Sequence, residues 1–336
     1  MIETVLVTGG TGFVAGWCIV ELLQHGYAVR TTVRDLSKEF AVRAAVGTAV
    51  DGGDRLSFFV ADLTADAGWD AAMAGCDYVL HVASPLSQAS RDPDALIGPA
   101  RDGTLRVLRA ATKAGVKRVA MTSSTAAATP AQTSVETISD ETIWTDPNGR
   151  NVNAYRQSKI FAERAAWNYM ADHAGATTLT TVLPVAIFGP VLSKATRGSV
   201  DVIQRLLDGR PPGLPRFGFC IVDVRDLAAL HIRAMTQPEA AGQRFIASGD
   251  FMWMEDIAAT LRTRLGARAA KVPTRRLPEA VVKVASLFMP PLRELMPLLG
   301  RRLTFTSAKA ERVLGFSPRA ATTTIIDCAE SLIGNR

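Results

Sequence analysis

A short apolar run near the N-terminus leads directly into a glycine-rich turn and then into an apolar, helix-forming stretch. The run covers Thr4–Thr8, the turn reads Gly9-Gly10-Thr11-Gly12, and a helix is predicted over Gly12–His25. Glycine permits the tight turn and the close approach of backbone to a ligand, and the first N–H groups of the helix can bind phosphate. This strand–turn–helix pattern predicts a dinucleotide-binding fold.

The same alternation continues through the first half of the chain. Further strands are predicted at Ala28–Val33, Leu56–Ala61, Tyr78–Val82, Arg118–Thr122 and Thr178–Leu183, and further helices at Asp102–Ala114 and Ala154–Ala174. Alternating strands and helices form parallel βαβ units, so we predict an α/β fold with a doubly wound parallel sheet, the Rossmann arrangement. Such a sheet binds its ligand at the carboxyl ends of its strands.

After Pro184 the alternation is less regular, and proline and glycine crowd Gly209–Gly218. We predict a dinucleotide-binding domain formed by residues 1–185 and 218–249. Residues 186–217 and 250–336 are predicted to form a smaller, mostly C-terminal substrate-binding lobe. Ile221–Val224 is expected to return to the main sheet as a strand, with Asp226 capping the next helix.

Charge is distributed unevenly along the chain, whose formal net charge is +6. Between Arg262 and Arg319 there are 13 Lys and Arg but three Glu, so this basic segment carries a net charge of +10. It could bind an anionic substrate, an anionic membrane surface or a nucleic acid, or it could be a solvated face. We expect the solvated face and no nucleic-acid partner, because aromatic residues are not interleaved as base stacking requires.

The cysteines and the apolar runs limit the class of protein. Cys18, Cys76, Cys220 and Cys328 form no Cys-x-x-Cys pair, which favours buried thiols over a metal site or a disulfide framework. The N-terminus does not have the pattern of a signal peptide, and the uncharged run Val284–Leu292 is far shorter than a membrane span. We expect a cytoplasmic protein with no metal and no stable membrane insertion.

The end of the second strand bears on the choice of nicotinamide cofactor. Sheets that bind NAD place Asp or Glu here to hold the ribose hydroxyls, but this chain has Val33, then Arg34, and Lys38 four residues later. A guanidinium pairs with the 2′-phosphate of NADP, which a carboxylate would repel. NADP(H) is therefore the expected cofactor. Asp35 is expected to point elsewhere, and it keeps NAD open as the alternative.

Two hydroxyls and an ammonium group suit carbonyl reduction. Tyr155 and Lys159 lie four residues apart in a predicted helix and so share a face, while Ser124 follows the strand Arg118–Thr122. Tyr155 would donate its proton to the forming alkoxide, and Ser124 would hold the substrate oxygen. We expect Lys159 and the oxidised nicotinamide to lower the Tyr155 pKa from about 10 toward neutrality, which corresponds to roughly 4 kcal/mol.

Several segments together resemble the extended short-chain dehydrogenase/reductases, over nearly the whole chain. These segments are Thr8–Val14, Asp62-Leu63, Val82–Pro85, Thr122–Ser124, Tyr155–Lys159, Leu183–Pro190 and Val222–Asp226. Within that superfamily, Thr31–Asp35 resembles the branch of the dihydroflavonol 4-reductases, which also holds cinnamoyl-CoA reductases and microbial aldehyde and ketone reductases.

The resemblance implies roles for the matching residues. Ser124, Tyr155 and Lys159 match the catalytic triad, and Lys159 is also expected to hold the nicotinamide ribose. The implied contacts to the phosphates of the cofactor are Thr11, Gly12 and Phe13 at the pyrophosphate and Arg34 at the 2′-phosphate. Asp62 and Leu63 are implied to flank the adenine, and Pro184 and Val185 to lie beside the nicotinamide. The central part of the cofactor is implied to be lined by Val82, Ala83 and Ser84. Gly9 and Lys38 join this set from the arguments above.

Two departures from the family pattern bear on the substrate. Plant dihydroflavonol reductases carry Asn where this chain has Thr129, and cinnamoyl-CoA reductases read Asn-Trp-Tyr-Cys-Tyr where it reads Asn151-Val152-Asn153-Ala154-Tyr155. We therefore expect an apolar or aromatic aldehyde or ketone as the small-molecule partner. The residues predicted to contact it are Ser84, Leu86, Thr125 and Val191, with Pro184 beside them.

Other functions stay open at this point. Within the reductases these are a dihydroflavonol 4-reductase, a cinnamoyl-CoA-type reductase and a steroid dehydrogenase. An NAD-dependent sugar epimerase or dehydratase is disfavoured by Val33 and Arg34, and a non-catalytic NADP sensor would not need Tyr155 and Lys159 together. We expect a monomer or a homodimer, with His81 and His231 in structural roles.

Overall fold

A computed structural model describes residues 2–85, 94–131, 136–173, 175–193, 198–210 and 212–334. The strands are β1 (Thr4–Val7), β2 (Ala28–Val33), β3 (Leu56–Val60), β4 (Tyr78–His81), β5 (Arg118–Thr122), β6 (Glu136–Ser139), β7 (Thr178–Pro184), β8 (Ala186–Phe188), β9 (Gly218–Asp223), β10 (Arg244–Ala247), β11 (Phe251–Trp253) and β12 (Arg302–Phe305). The helices are α1 (Phe13–Gln24), α2 (Glu39–Gly47), α3 (Trp69–Met73), α4 (Asp94–Lys113), α5 (Ala154–Asp172), α6 (Val200–Leu207), α7 (Val224–Thr236), α8 (Met254–Leu265), α9 (Glu279–Phe288), α10 (Pro290–Leu295), α11 (Ala308–Leu314) and α12 (Ala321–Gly334).

The main sheet has seven parallel strands in the order β10-β7-β5-β4-β1-β2-β3. The chain builds outward from β1 in one direction with β2 and β3, and in the other with β4, β5 and β7. The order therefore switches between β1 and β4, which is where an open parallel sheet offers a crevice for a ligand. The predicted doubly wound α/β fold is confirmed.

Side chains alternate along β1 between two apolar cores. Val5 and Val7 pack into a core that includes Ile19 of α1 and Leu227 of α7, while Leu6 packs on the opposite face. Residues of α4 and α5 cover that opposite face. The alternation places helices on both sides of the sheet, because each face must bury its apolar side chains.

The strand predictions hold within one residue at each end for β1 to β5 and for β7. The helix predicted to begin at Asp102 was placed too late, because the described part of α4 already begins at Asp94. Pro99 lies inside this helix, and a proline normally marks a helix boundary. The four cysteines are buried and free, as predicted.

The expectation for Ile221–Val224 was wrong. Ile221–Asp223 belong to β9, which pairs with β8 and β11 in a separate three-stranded sheet, and β10 takes the edge of the main sheet beside β7. We call this separate sheet, together with α6, α8 and α12, the small lobe. The reason is tertiary, since Ile221 packs into the core of the small lobe together with residues of α6, α8 and α12.

The expected helix cap was also wrong by three residues. Helix α7 begins at Val224, so Asp223 is its N-cap and accepts a hydrogen bond from the N–H of Arg225 at 2.9 Å. Asp226 lies in the first turn and instead accepts from the N–H of Arg319 at 2.7 Å.

Two further contacts involve the small lobe. Strand β12 pairs in parallel with β6, and α12 packs against α6, α8 and β9. In the described part of the chain, no helix is both long enough and apolar enough to cross a membrane.

Candidate active site

The turn after β1 packs tightly against the loop after β4. Gly9 has a φ of 74°, and a Cβ atom there would lie 3.0 Å from the Cβ of Ala83. The Thr8 hydroxyl oxygen accepts from the N–H groups of Val82 and Ala83, at 3.0 and 2.9 Å, and so joins the two loops. Gly12 is the N-cap of α1 and provides no side-chain cap. The N-terminal N–H groups of α1 are thus left available to a phosphate, with no side chain covering them.

The end of β2 presents cations to solvent. Val33 is buried, whereas Arg34 and Lys38 are exposed. The Asp35 carboxylate caps a short turn by accepting from the N–H of Ser37 at 2.8 Å. Its carboxylate is therefore hydrogen-bonded within its own turn, which agrees with the expectation that Asp35 points elsewhere.

Asp62 and Leu63 follow β3 near Arg34. The Asp62 carboxylate accepts from the hydroxyl and the N–H of Thr64, at 2.7 and 2.8 Å. These bonds lower the Asp62 pKa, and the charge of Arg34 adds to the effect. Leu63 packs against Gly103, where a Cβ would lie 2.7 Å from that of Leu63. Both residues are held in fixed positions on the side of the sheet where Arg34 lies.

Ser124 and Tyr155 meet at the carboxyl end of β5. Ser124 caps the short turn Thr125–Ala128, and its hydroxyl oxygen accepts from the N–H of Ala126 at 3.1 Å. Ser124 and Tyr155 line the same cavity, and the Ser124 hydroxyl acts to lower the Tyr155 pKa. Tyr155 lies in the first turn of α5, whose start is fixed by Asn153, the N-cap residue. Lys159 follows one turn later and is only 7% exposed.

Burial sets the protonation of Tyr155 and Lys159. It raises the Tyr155 pKa above 10, although the bond to Ser124 opposes the rise. Tyr155 is nevertheless 39% exposed and lines an open cavity. Burial lowers the Lys159 pKa to about 8, and the Glu163 charge opposes that shift. The protein groups alone therefore raise the Tyr155 pKa. The lowering expected from Lys159 and the oxidised nicotinamide together stays a prediction.

A buried carboxylate that the sequence analysis missed lies directly behind this pair. Glu163 is fully buried and accepts hydrogen bonds from the hydroxyls of Ser123 and Thr181, at 2.6 and 2.8 Å. It also forms an ion pair with Arg244, with Nε and Oε1 2.9 Å apart. Tyr155, Lys159 and Glu163 recur every four residues along α5, so helical spacing could have pointed to this residue.

Arg244 is tied to the rest of the fold on all sides. Its guanidinium donates to the carbonyl oxygens of Glu141 and Ile143, at 2.6 and 3.0 Å, and lies 3.6 Å from the ring centre of Trp144. These contacts fix Glu163 from the edge strand β10. Trp144 thus has a packing role rather than a stacking role toward a ligand.

A cavity of about 610 Å³ opens in front of Ser124 and Tyr155, between the main sheet and the small lobe. Its apolar lining comes from both sides and includes Pro184, Val185, Phe219, Leu298 and Phe305. The cavity is the natural place for a substrate, because it joins the Ser124–Tyr155 pair to solvent.

The residues predicted to contact the substrate are only partly brought together. Thr125 lines the cavity, as does Pro184. Among the residues whose placement is described, Ser84 and Val191 do not line it, and Val191 is buried in the core of the small lobe. Leu86 lies outside the described residues.

His81 and His231 are buried in the sheet–helix core, as predicted. His81 bonds to the Thr8 hydroxyl at 3.0 Å and His231 to the Thr122 hydroxyl at 2.7 Å. Burial lowers the pKa of His81 to about 3 and that of His231 to about 4. Both rings are neutral at pH 7 and tie strand ends to their neighbours.

Residues 5–247 match the family model described as the NAD dependent epimerase/dehydratase family. The chain belongs to this family of extended short-chain dehydrogenase/reductases. It is 36% identical over 256 residues to a putative anthocyanidin reductase of Ginkgo biloba, a match that covers 71% of the chain and 74% of that protein. It is 34% identical over 269 residues to a dihydroflavonol 4-reductase of Zea mays, covering 78% and 74%.

Solved structures of this family share the whole fold. The yeast methylglyoxal/isovaleraldehyde reductase Gre2, complexed with NADPH, superposes with a TM-score of 0.82 at 26% identity, over 99% of the chain and 100% of that protein. The family resemblance read from the sequence is thus confirmed, including its branch of dihydroflavonol reductase-like proteins.

Proposed function

We propose that this protein is an NADPH-dependent reductase that converts an aldehyde or ketone to an alcohol. The observation that carries the proposal is that Ser124 and Tyr155 line the same open cavity, with Lys159 one helical turn behind Tyr155. An NADPH complex is known for the related Gre2 reductase, which supports the choice of cofactor.

The chain's residues fit the cofactor along one edge of the sheet. Gly9 allows the turn to pack closely against Ala83, the start of α1 offers N–H groups to the pyrophosphate, and Arg34 offers its guanidinium to the 2′-phosphate. Asp62 and Leu63 would flank the adenine, and Pro184 and Val185, which line the cavity, would lie beside the nicotinamide. When bound, NADPH supplies the hydride.

The other steps belong to the side chains. Tyr155 keeps its proton at neutral pH because burial raises its pKa, so it can give that proton to the oxygen of the reduced carbonyl. Ser124 binds the same oxygen and orients it toward the phenol. Lys159, with a pKa of about 8, is mostly an ammonium at pH 7 and stabilises the phenolate that remains.

The test is an assay of NADPH oxidation with aromatic aldehydes, aryl ketones, dihydroflavonols and acyl-CoA thioesters, with NADH in parallel. Removal of the acid by Tyr155→Phe should lower kcat by about 10²–10⁴, while fluorescence titration still detects NADPH binding. Turnover at the wild-type rate in this variant would refute the role of Tyr155. Absence of NADPH-dependent turnover with every carbonyl class would refute the proposed function.

A further inference from the structure

The cavity in front of Tyr155 is strongly cationic. Four arginines line it, namely Arg150, Arg156, Arg293 and Arg301. Among its lining residues that the structure describes, none is an Asp or a Glu. Apolar walls formed by residues such as Phe219 accompany this charge. The lining therefore suits a molecule with an apolar body and a negative charge.

The arginines come from two distant parts of the chain. Arg150 precedes α5 and Arg156 lies in its first turn, directly after Tyr155. Arg293 and Arg301 belong to the basic segment between Arg262 and Arg319. The fold thus brings part of that segment to the mouth of the site, which a uniformly solvated basic face would not explain.

The ion pairs that the structure describes do not balance the charges of Arg150, Arg156 and Arg293. Arg156 donates to the carbonyl oxygen of Asn151 at 3.3 Å, and Arg293 donates to the carbonyl oxygen of Leu287 at 2.9 Å. In the part of the chain that the structure describes, no carboxylate forms an ion pair with Arg150, Arg156 or Arg293.

Arg156 is the most informative of the four. It is half-buried, and burial lowers the pKa of its guanidinium. By contrast, the buried Arg244 has the Glu163 carboxylate as its partner. A desolvated cation without a counter-charge is costly to keep, and an anionic ligand would supply that counter-charge.

Building on the proposed reductase function, we propose that the carbonyl substrate also carries an anionic group, a carboxylate or a phosphate, which Arg156 binds. Arg150 and Arg293 add positive potential at the mouth of the cavity, and the apolar walls hold the body of the substrate. This refines the expectation of a purely apolar substrate and gives the basic segment a function.

The experiment compares three matched aldehydes in the NADPH oxidation assay. They are para-formylbenzoate, para-formylphenyl phosphate and the neutral methyl ester of para-formylbenzoate. We expect kcat/KM at low ionic strength to be about tenfold higher for at least one of the two anions than for the ester, because a hydrogen bond to a charged group is worth a factor of this size or more. Added salt should reduce that preference, and the better of the two anions identifies the charged group.

Variants locate the effect. Arg156→Gln should reduce kcat/KM for the preferred anion about tenfold more than for the ester, mainly through KM, and Arg156→Lys should restore part of the loss. Arg150→Gln, at an exposed position, should give a smaller loss and serves if Arg156→Gln does not fold. Arg109→Gln, on the exposed surface of α4, is the control and should change neither substrate.

The outcomes separate the two proposals. If the ester is reduced as well as both anions, and Arg156→Gln affects all three equally, the anion site is refuted while the reductase function stands. If none of the three aldehydes is reduced, the wider panel of carbonyl classes decides whether the reductase function is refuted. In that case, calorimetric titration with the two anions still tests the anion site. The titration compares the Tyr155→Phe variant with the double variant that also carries Arg156→Gln. Loss of anion binding in the double variant supports the site, and equal binding in the two variants refutes it.

Discussion

Replacement of Glu163 by Gln tests how the buried charges behind Tyr155 support the site. The carboxylate accepts hydrogen bonds from Ser123, Thr181 and Arg244 at 2.6 to 2.9 Å, and all of these groups are buried. Gln has a similar shape but carries no charge and turns one acceptor into a donor. Loss of one partner of a buried ion pair costs about 3–5 kcal/mol, a large share of a total stability of about 5–15 kcal/mol.

The same substitution should change the pH dependence of activity. The Glu163 charge raises the Lys159 pKa, which burial lowers to about 8, so its removal shifts that pKa further down. Because activity requires the ammonium form, the alkaline limb of the pH profile of kcat/KM should move to lower pH in Glu163→Gln. Denaturant unfolding at pH 7 and the pH profile measure the two effects separately.

The exposed pair of Lys113 and Asp70 provides the control for stability. The side chains are 72% and 67% exposed, so Asp70→Asn should cost less than about 1 kcal/mol. If Glu163→Gln costs no more than this control, and its alkaline limb stays in place, then the buried network neither stabilises the fold nor tunes Lys159.

Three further predictions concern other parts of the molecule. Arg34→Ala should raise the KM for NADPH far more than the KM for NADH, and equal effects would remove Arg34 as the contact to the 2′-phosphate. Lys159→Met should abolish turnover and yet raise the free energy of unfolding at pH 7 by up to about 3 kcal/mol. Burial lowers the Lys159 pKa from 10.5 to about 8, so the charged side chain destabilises the folded state. A variant that is less stable in denaturant titration would contradict this prediction. Burial lowers the His231 pKa from 6.5 to about 4, so the unfolded chain takes up a proton that the folded protein does not, and stability is lost as pH falls from 6.5 to 4. His231→Gln should make denaturation midpoints in that window less dependent on pH, and an unchanged slope would show that His231 does not cause the loss.

Local patterns were sufficient for much of the fold. Apolar runs of four to seven residues placed β1 to β5 and β7, and the glycine turn placed the start of α1, because these features depend on neighbouring residues. Helical spacing likewise predicts that Tyr155 and Lys159 share one face of α5. The position of Ser124 directly after β5 predicts that it lies at the carboxyl end of that strand.

The errors share a tertiary cause. An apolar run such as Ile221–Val224 suits either sheet, and the choice depended on β8, which pairs with it in the small lobe. Arg156 and Arg293 line the same cationic cavity although they lie 137 positions apart in the chain. The sequence showed only that Arg293 lies in a basic segment.

The core of the small lobe is assembled from segments that are made at very different times. Phe188 of β8 is completely buried there together with Ile325 and Cys328 of α12, and the N–H of Val191 donates to Ser331, 140 positions later. At a synthesis rate of about 5–20 residues per second, β8 waits about 7–28 s before α12 has been made. During that interval the nascent chain carries apolar surface with no final partner, until α12 packs against α6, α8 and β9 and closes the small lobe.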